Sequence, residues 1–300
     1  MTRRKAQTRR KPPPKKGSRG RSASAATRRR PAAVVAIAVV LAIVMAMVAF
    51  ALLGKPAKAP ASGSGTAAAR KLQGVPDVTL AAIGLQTSVT PPQHLPSGTQ
   101  PLTLNGKPQV LYVGAEYCPY CAAERWALIL ALSRFGSFTG LSATLSSATD
   151  VFPNTPTFSF HGATYSSTYL SFTGVEETTN QPNGQGGYTP LDTLTAAQEA
   201  LLKAFDVAPY TTQPGAIPFT TYGNRFVSIG AGFQPSALAG LTVDQVAAKL
   251  ANADDPITKD IVGAANTLVA ALCEVTGGRP SNVCAAPWVG QIQSALPSAP

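Results

Sequence analysis

The chain has 300 residues, room for one or two domains. Only 13% are charged, and the net charge of +11 is unevenly placed: residues 1–30 hold 13 of the 25 Lys and Arg and no Asp or Glu. The rest carries 12 basic against 14 acidic residues, which excludes a basic folded surface and, outside the tail, nucleic-acid binding.

Residues 1–30 read as a basic cytoplasmic tail, a solvated topology signal; Arg28-Arg29-Arg30 is only a weak twin-arginine match. Pro31 to Gly54 is a run of 24 residues without a charge. A membrane-spanning helix needs roughly 20 such residues, whereas a secretory signal core has roughly 7 to 15. The run therefore predicts a transmembrane helix over 31–54. The alternative is a cleaved signal ending at Ala57-Lys58-Ala59. Cations ahead of the run keep the amino terminus in the cytoplasm and send the remainder outside the cell membrane. Residues 55–71, rich in Ala, Pro, Gly and Ser, read as a flexible linker.

A domain is expected over 72–290, with 291–300 as a C-terminal tail. "PLTLNGKPQVLYVGA" (101–115) reads as a hairpin turning at Asn105-Gly106, with "QVLYV" as a buried strand. A helix follows, with Pro119 in its first turn and an apolar stripe through Trp126, Leu128, Ile129, Leu132 and Phe135. "LSATLSSA" (141–148) is a further strand, and "TFSFHGATY" and "YLSFTGVEETT" read as a strand pair. Asn180–Gly187 reads as a loop, and "TPLDTLTAAQEALLKAF" (189–205) as a helix. "GAIPFTTYGNRFVSIGAGF" gives strand, Gly223-Asn224 turn, strand. Two helices close the pattern, one capped by Thr242 and one stopping at Gly277-Gly278. The order mixes α and β in one layered domain.

Four cysteines outside the cytoplasm permit two bridges. Cys118 and Cys121 stand between a strand and a helix. A cysteine at a helix start faces free backbone N–H groups and the positive end of the dipole, which lowers its pKa from about 8.5 to roughly 3.5–7.5. Cys118 is therefore expected to attack and Cys121, one turn inside, to resolve. The pair is also half of a zinc site, or an inert bridge. A four-thiolate site with Cys273 and Cys284 stays open, while His94 and His161 read as surface residues. Ile217-Pro218 directly precedes a strand, where a cis peptide bond is expected. Glu116 and Glu124 flank the motif as candidate proton shuttles, otherwise solvated.

The strand "QVLYVGA", Cys118-Pro119-Tyr120-Cys121, the helix to Phe135, Ile217-Pro218, the hairpin "FTTYGNRFVSIG" and the helix after Thr242 together resemble the thioredoxin superfamily. The CPYC dipeptide is the one common in glutaredoxins. With "RFG", "TFSF", "IPF" and "CEVTGG…P…VC", the chain is similar over 72–290 to an uncharacterised family of membrane-anchored, thioredoxin-like proteins, a domain of unknown function. The resemblance implies an α/β thioredoxin-like fold with an insertion before the cis-proline, over 149–205, preceded by one transmembrane helix. It implies that Cys118 is the exposed nucleophile, Cys121 its buried partner, Pro218 the cis-proline beside them, and the Ile217 backbone a pairing edge for substrate. Tyr120 is expected to contact substrate. Tyr117 stands where thioredoxins have tryptophan, and the insertion is longer than thioredoxin's. Cys273 and Cys284 are expected to form a structural disulfide, with a relay dithiol as the alternative.

The expected function is a membrane-anchored, extracytoplasmic thiol–disulfide oxidoreductase. Its partners are protein substrates bearing thiols or disulfides, a redox partner, and the membrane through 31–54. No metal or organic cofactor is required. The alternatives are a non-catalytic scaffold with Cys118–Cys121 permanently oxidised, and a structural zinc module.

Overall fold

Strand β3 (Lys107–Gly114) carries the architecture, because alternate side chains enter different cores. Val110 and Tyr112 belong to the larger apolar cluster, Leu111 and Val113 to the smaller one on the opposite face. Such a strand must be covered on both sides, and it is. The computed structural model describes residues 62–298. The predicted tail, the 31–54 span and residues 55–61 lie outside the described residues. Among the described residues no helix is long and apolar enough to cross a membrane.

In chain order the elements begin with α1 (Ser62–Gln73), α2 (Asp77–Ile83), β1 (Gln93–His94), β2 (Thr103–Leu104), β3 and α3 (Pro119–Leu132). Then come β4 (Gly136–Thr139), β5 (Ser142–Leu145), β6 (Pro156–Ser159), β7 (Thr164–Ser167) and β8 (Ser171–Glu176). A hairpin of β9 (Thr178–Pro182) and β10 (Tyr188–Pro190) leads to α4 (Ala196–Phe205). β11 (Phe219–Tyr222), β12 (Phe226–Ile229), α5 (Val243–Lys249), α6 (Pro256–Val275), α7 (Ser281–Cys284) and α8 (Pro287–Gln293) complete the chain.

The central sheet is mixed. Its order is β1-β12-β11-β3, with β2 and β8 both pairing with β3. β3 and β8 run parallel, from Gln109↔Ser171 to Gly114↔Glu176. β11 is antiparallel to both β3 and β12. Helices α3 and α6 contribute to the larger core, and Leu201, Leu202 and Phe205 of α4 cover the smaller one. The chain is thus a mixed α/β fold around a central mixed sheet.

The two turns expected from sequence occur. Asn105 and Gly106 both have positive φ, as do Gly223 and Asn224, the geometry that a two-residue hairpin turn requires. Thr242 caps α5 in a reciprocal box with Gln245.

Four expectations need correction. Residues 62–71, read as flexible linker, form most of α1, whose Ala68, Ala69 and Leu72 are buried. The 291–300 tail is partly core: α8 runs to Gln293, and Ile292 and Leu296 are buried. The helix over 189–205 begins only at Ala196, where Thr195 caps it, and 188–190 pairs with β9 across the predicted loop. Last, "TFSFHGATY" and "YLSFTGVEETT" do not pair with each other: β6 pairs with β5, β7 with β4, and β8 with β3. Local alternation identifies strands but carries no information about which distant strand supplies the partner. The stripe on α3 is also wider than expected. Every residue from Cys121 to Leu132 is buried, so this helix is surrounded by protein rather than lying on the surface.

Candidate active site: a dithiol at the start of α3

Cys118 is the N-cap of α3, with Pro119 in the first helical position. Its Sγ accepts the Cys121 backbone N–H at 3.2 Å, which satisfies one free donor of the first turn. The thiol also donates to the Ile217 carbonyl oxygen at 3.7 Å. Ile217-Pro218 is a cis peptide bond, as are Ala208-Pro209 and Arg279-Pro280. Phe219 pairs with Val113, so Pro218 lies level with the end of β3, where the cysteine loop departs. Sheet register therefore brings together residues about 100 positions apart in sequence.

The two thiols differ sharply. Cys118, expected to be the exposed nucleophile, is only 5% exposed because the cysteine loop packs it into the larger core, and Cys121 is fully buried as expected; both are free. A hydrogen bond from the Cys121 side chain pulls the Cys118 pKa down, against the effect of burial, with help from the Cys121 N–H and the Arg125 charge. Burial pushes Cys121 well up, and its bond to Cys118 adds to this. The pair is a nearly buried sulfur that ionises more readily than an ordinary thiol beside a fully buried one that holds its proton, the division of labour that exchange needs.

Under the thiols lies a buried ion pair. Arg125, one turn beyond Cys121, donates through Nε to Glu176 Oε1 at 2.8 Å and through Nη2 to Glu176 Oε2 at 2.5 Å. Nη2 also donates to the Ala115 carbonyl at 2.7 Å. Both side chains are fully buried. The bidentate fork ties the helix to the end of β8 and to the first residue of the cysteine loop. Tyr112 lies beside it, with the guanidinium 5.8 Å from its ring centroid. Trp126, expected in the core, is fully buried and donates to the Pro156 carbonyl at 2.8 Å.

The 149–205 segment reaches the site. Tyr188 stacks on Tyr117, with centroids 4.2 Å apart, and Phe152 meets Tyr120 edge-on at 5.8 Å. Tyr120, expected to contact substrate, is half-buried by this packing. Backbone bonds from Glu116 N–H to Thr178 O at 2.9 Å and from Glu177 N–H to Gly114 O at 2.8 Å fasten the cysteine loop to β8 and β9. Tyr112, Phe152, Glu176 and Tyr188 escaped the sequence reading. The one usable signal was a charged pair, Glu176-Glu177, at the end of an apolar strand.

The two shuttle candidates differ in setting. Glu116 is half-buried next to Tyr117. Glu124 is 1% exposed and accepts the Gly232 N–H at 2.9 Å. It lines a narrow cleft with Thr90, Gln93, Gly232, Ala264 and Thr267, and neither thiol borders that cleft. Burial raises its pKa from 4.5 to about 7. The folded state then holds this proton more tightly than the unfolded chain, so stability falls as pH rises from 4.5 to about 7 and is level above. The slope is at most about 3 kcal/mol in total. Glu124→Gln is expected to remove it, so that the variant gains on the wild type between pH 5 and 8 in urea unfolding. Parallel stability curves for the two proteins would exclude a buried titrating Glu124.

Cys273, in the last turn of α6, is bonded to Cys284 in α7, with Cα atoms 5.4 Å apart. His94 bonds Pro297 O and lies 3.5 Å from Glu274, and His161 pairs with Asp192. Among the described residues no group of three or more His, Cys, Asp and Glu is placed to hold a metal ion.

No curated protein and no solved structure matches the chain significantly. One family model does, "Domain of unknown function (DUF929)", over residues 95–274. The match spans β3, the dithiol, the 149–205 segment, the cis-proline hairpin and nearly all of α6. Since it covers more than half of the sequence and every element of the candidate site, the chain belongs to the DUF929 family.

Proposed function

We propose that this protein is a membrane-anchored, extracytoplasmic thiol–disulfide oxidoreductase built on a thioredoxin-like fold. The observation that carries the reading is Cys118 itself, a low-pKa sulfur capping a helix 3.7 Å from the carbonyl of a cis X-Pro pair. The topology supports it: a strand, a CxxC helix, a parallel strand and an antiparallel hairpin opened by the cis-proline are what the thioredoxin resemblance implies. The charge-free run 31–54 and the cations before it support the anchor and its orientation.

In the reducing direction the Cys118 thiolate attacks a disulfide R–S–S–R′. A bond forms between Cys118 Sγ and R–S, and R′–S⁻ leaves, taking the Cys121 proton as R′–SH. Cys121 sulfur then attacks Cys118 Sγ, the internal disulfide forms, and R–S⁻ departs. The dithiol loses two electrons and the substrate gains them. Oxidation of a substrate dithiol is the reverse. The Ile217 backbone and Tyr120 border the approach, and both are proposed to meet the substrate segment.

The rate of Cys118 alkylation against pH tests the reading in the full-length chain. The expected midpoint lies below that of an ordinary thiol at about 8.5. A midpoint at or above that value would overturn the low-pKa nucleophile, whereas a Cys118 that alkylates only after the protein is reduced would favour the permanently oxidised scaffold. The zinc reading needs four free thiolates, and Cys273 and Cys284 are bonded to each other.

The Cys273–Cys284 bridge is proposed to be structural. It ties α7 to the end of α6, and closing a loop of 11 residues stabilises by about 3 kcal/mol in the chain-entropy model. Replacing both cysteines by alanine is expected to lower stability by that amount and leave disulfide exchange unchanged. A relay role predicts lost turnover instead.

A further inference from the structure

Tyr112 is fully buried in β3, and among the described residues its hydroxyl has no hydrogen-bond partner. A buried hydroxyl without a partner is unfavourable, so its retention calls for a reason. Its position supplies one. Gly114, two residues on and on the same strand face, leaves no room for a side chain: a Cβ there would collide with Tyr112 Oη and lie 3.0 Å from Cys121 Sγ. The hydroxyl and the buried sulfur thus flank the same small space. Arg125, which also has an unpartnered nitrogen in Nη1, borders the tyrosine ring from one side.

We propose that the Tyr112 hydroxyl is the hydrogen-bond donor for the Cys121 sulfur when that sulfur turns anionic and attacks the mixed disulfide on Cys118. This deepens the oxidoreductase reading and rests on it. In the dithiol state the hydroxyl and the sulfur are not in hydrogen-bond contact, and a neutral thiol, a weak acceptor, does little to draw them together; a thiolate is a strong one. The hydroxyl stands across a glycine-sized gap from that sulfur, outside hydrogen-bond contact in the dithiol state, so a short approach of the two closes the bond as negative charge develops. Burial makes ionisation of Cys121 costly, so a donor beside it has a large effect. The Arg125 charge and the Ala115 N–H also favour the Cys121 thiolate, and the hydroxyl is proposed to act in addition to them. In the balanced step, the Cys121 proton has left on R′–SH, the Cys118–Cys121 bond forms, the Cys118–S–R bond breaks and R–S⁻ departs.

The test uses Tyr112→Phe in the full-length, reduced protein with a chromogenic aromatic disulfide. Cys118 releases the first thiolate and Cys121 the second. The first release is expected to keep its rate and the second to slow about tenfold, the effect of one hydrogen bond to a charged sulfur. Thermal stability is expected to be unchanged or raised. A second measurement needs no turnover: the Cys121 ionisation midpoint, followed by carbon-13 NMR of its Cβ, should rise by about one pH unit, the same tenfold effect. An unchanged second release with an unchanged midpoint overturns the assignment. So does equal slowing of both releases, which marks a packing role. A wild-type protein that releases no thiolate overturns the oxidoreductase reading instead, and the NMR midpoint alone then decides for or against the tyrosine.

Discussion

Arg125→Leu is expected to lower the unfolding free energy by about 3–5 kcal/mol, because it leaves Glu176 buried without its cation. The carboxylate would keep only the Phe160 N–H, at 3.3 Å, in place of two guanidinium bonds. Burial already pushes the Glu176 pKa up, against the pull of Arg125, so losing the guanidinium drives this carboxyl toward its protonated form. The double variant Arg125→Leu/Glu176→Leu is expected to recover most of the loss, since well-packed apolar replacements of a buried pair are often neutral. Urea unfolding of the full-length chain reads both. A single variant that loses under about 1 kcal/mol would mean that water reaches the pair and that it behaves as an exposed one. The same substitution releases the Ala115 carbonyl and removes a charge that lowers the Cys118 pKa. Cys118 alkylation at neutral pH should therefore slow even where the fold survives.

Cys121→Ala is expected to leave Cys118 joined to its partners in cells, as mixed disulfides separable by mass on non-reducing gels. Without Cys121 Sγ nothing inside the protein can release them. Cys118→Ser is expected to trap nothing and to lower exchange by at least about 1,000-fold, since no mixed disulfide can form without that sulfur. Cys121→Ala also removes the side-chain hydrogen bond that does most to lower the Cys118 pKa. Trapping should thus be slower below neutral pH than the wild-type first step. If Cys121→Ala captures no more than Cys118→Ser does, the dithiol does not turn over protein substrates. The aromatic contacts around the motif sharpen this experiment. Tyr117 and Tyr120 are each covered by a residue of the 149–205 segment, Tyr188 and Phe152.

Much of the local structure is readable from the amino acids alone. Asn105-Gly106 and Gly223-Asn224 specify their turns because few other residues adopt positive φ cheaply. Pro119 and Thr242 mark helix starts through local backbone bonding. The spacing of Cys118 and Cys121 sets one sulfur on the cap and the other a turn inside, since a helix advances about 100° per residue. Where composition misleads, at residues 62–71, the cause is also physical. Ala, Gly and Ser look like linker, and a helix so poor in large apolar groups holds only because Ala68, Ala69 and Leu72 find a core to enter.

What the amino acids by themselves determined is therefore the covalent and near-neighbour part: a charge-free run, two hairpin turns, a capped helix and a dithiol at its start. Tertiary structure alone decided the rest. Which strand lies beside β3, that Glu176 reaches Arg125 across 51 residues, that Tyr188 and Phe152 close over the motif, and that Glu124 faces Gly232 rather than the thiols are outcomes of long-range packing. The reason is that a local pattern fixes which face of an element is apolar, whereas the partner for that face is chosen by the total area that all elements can bury together.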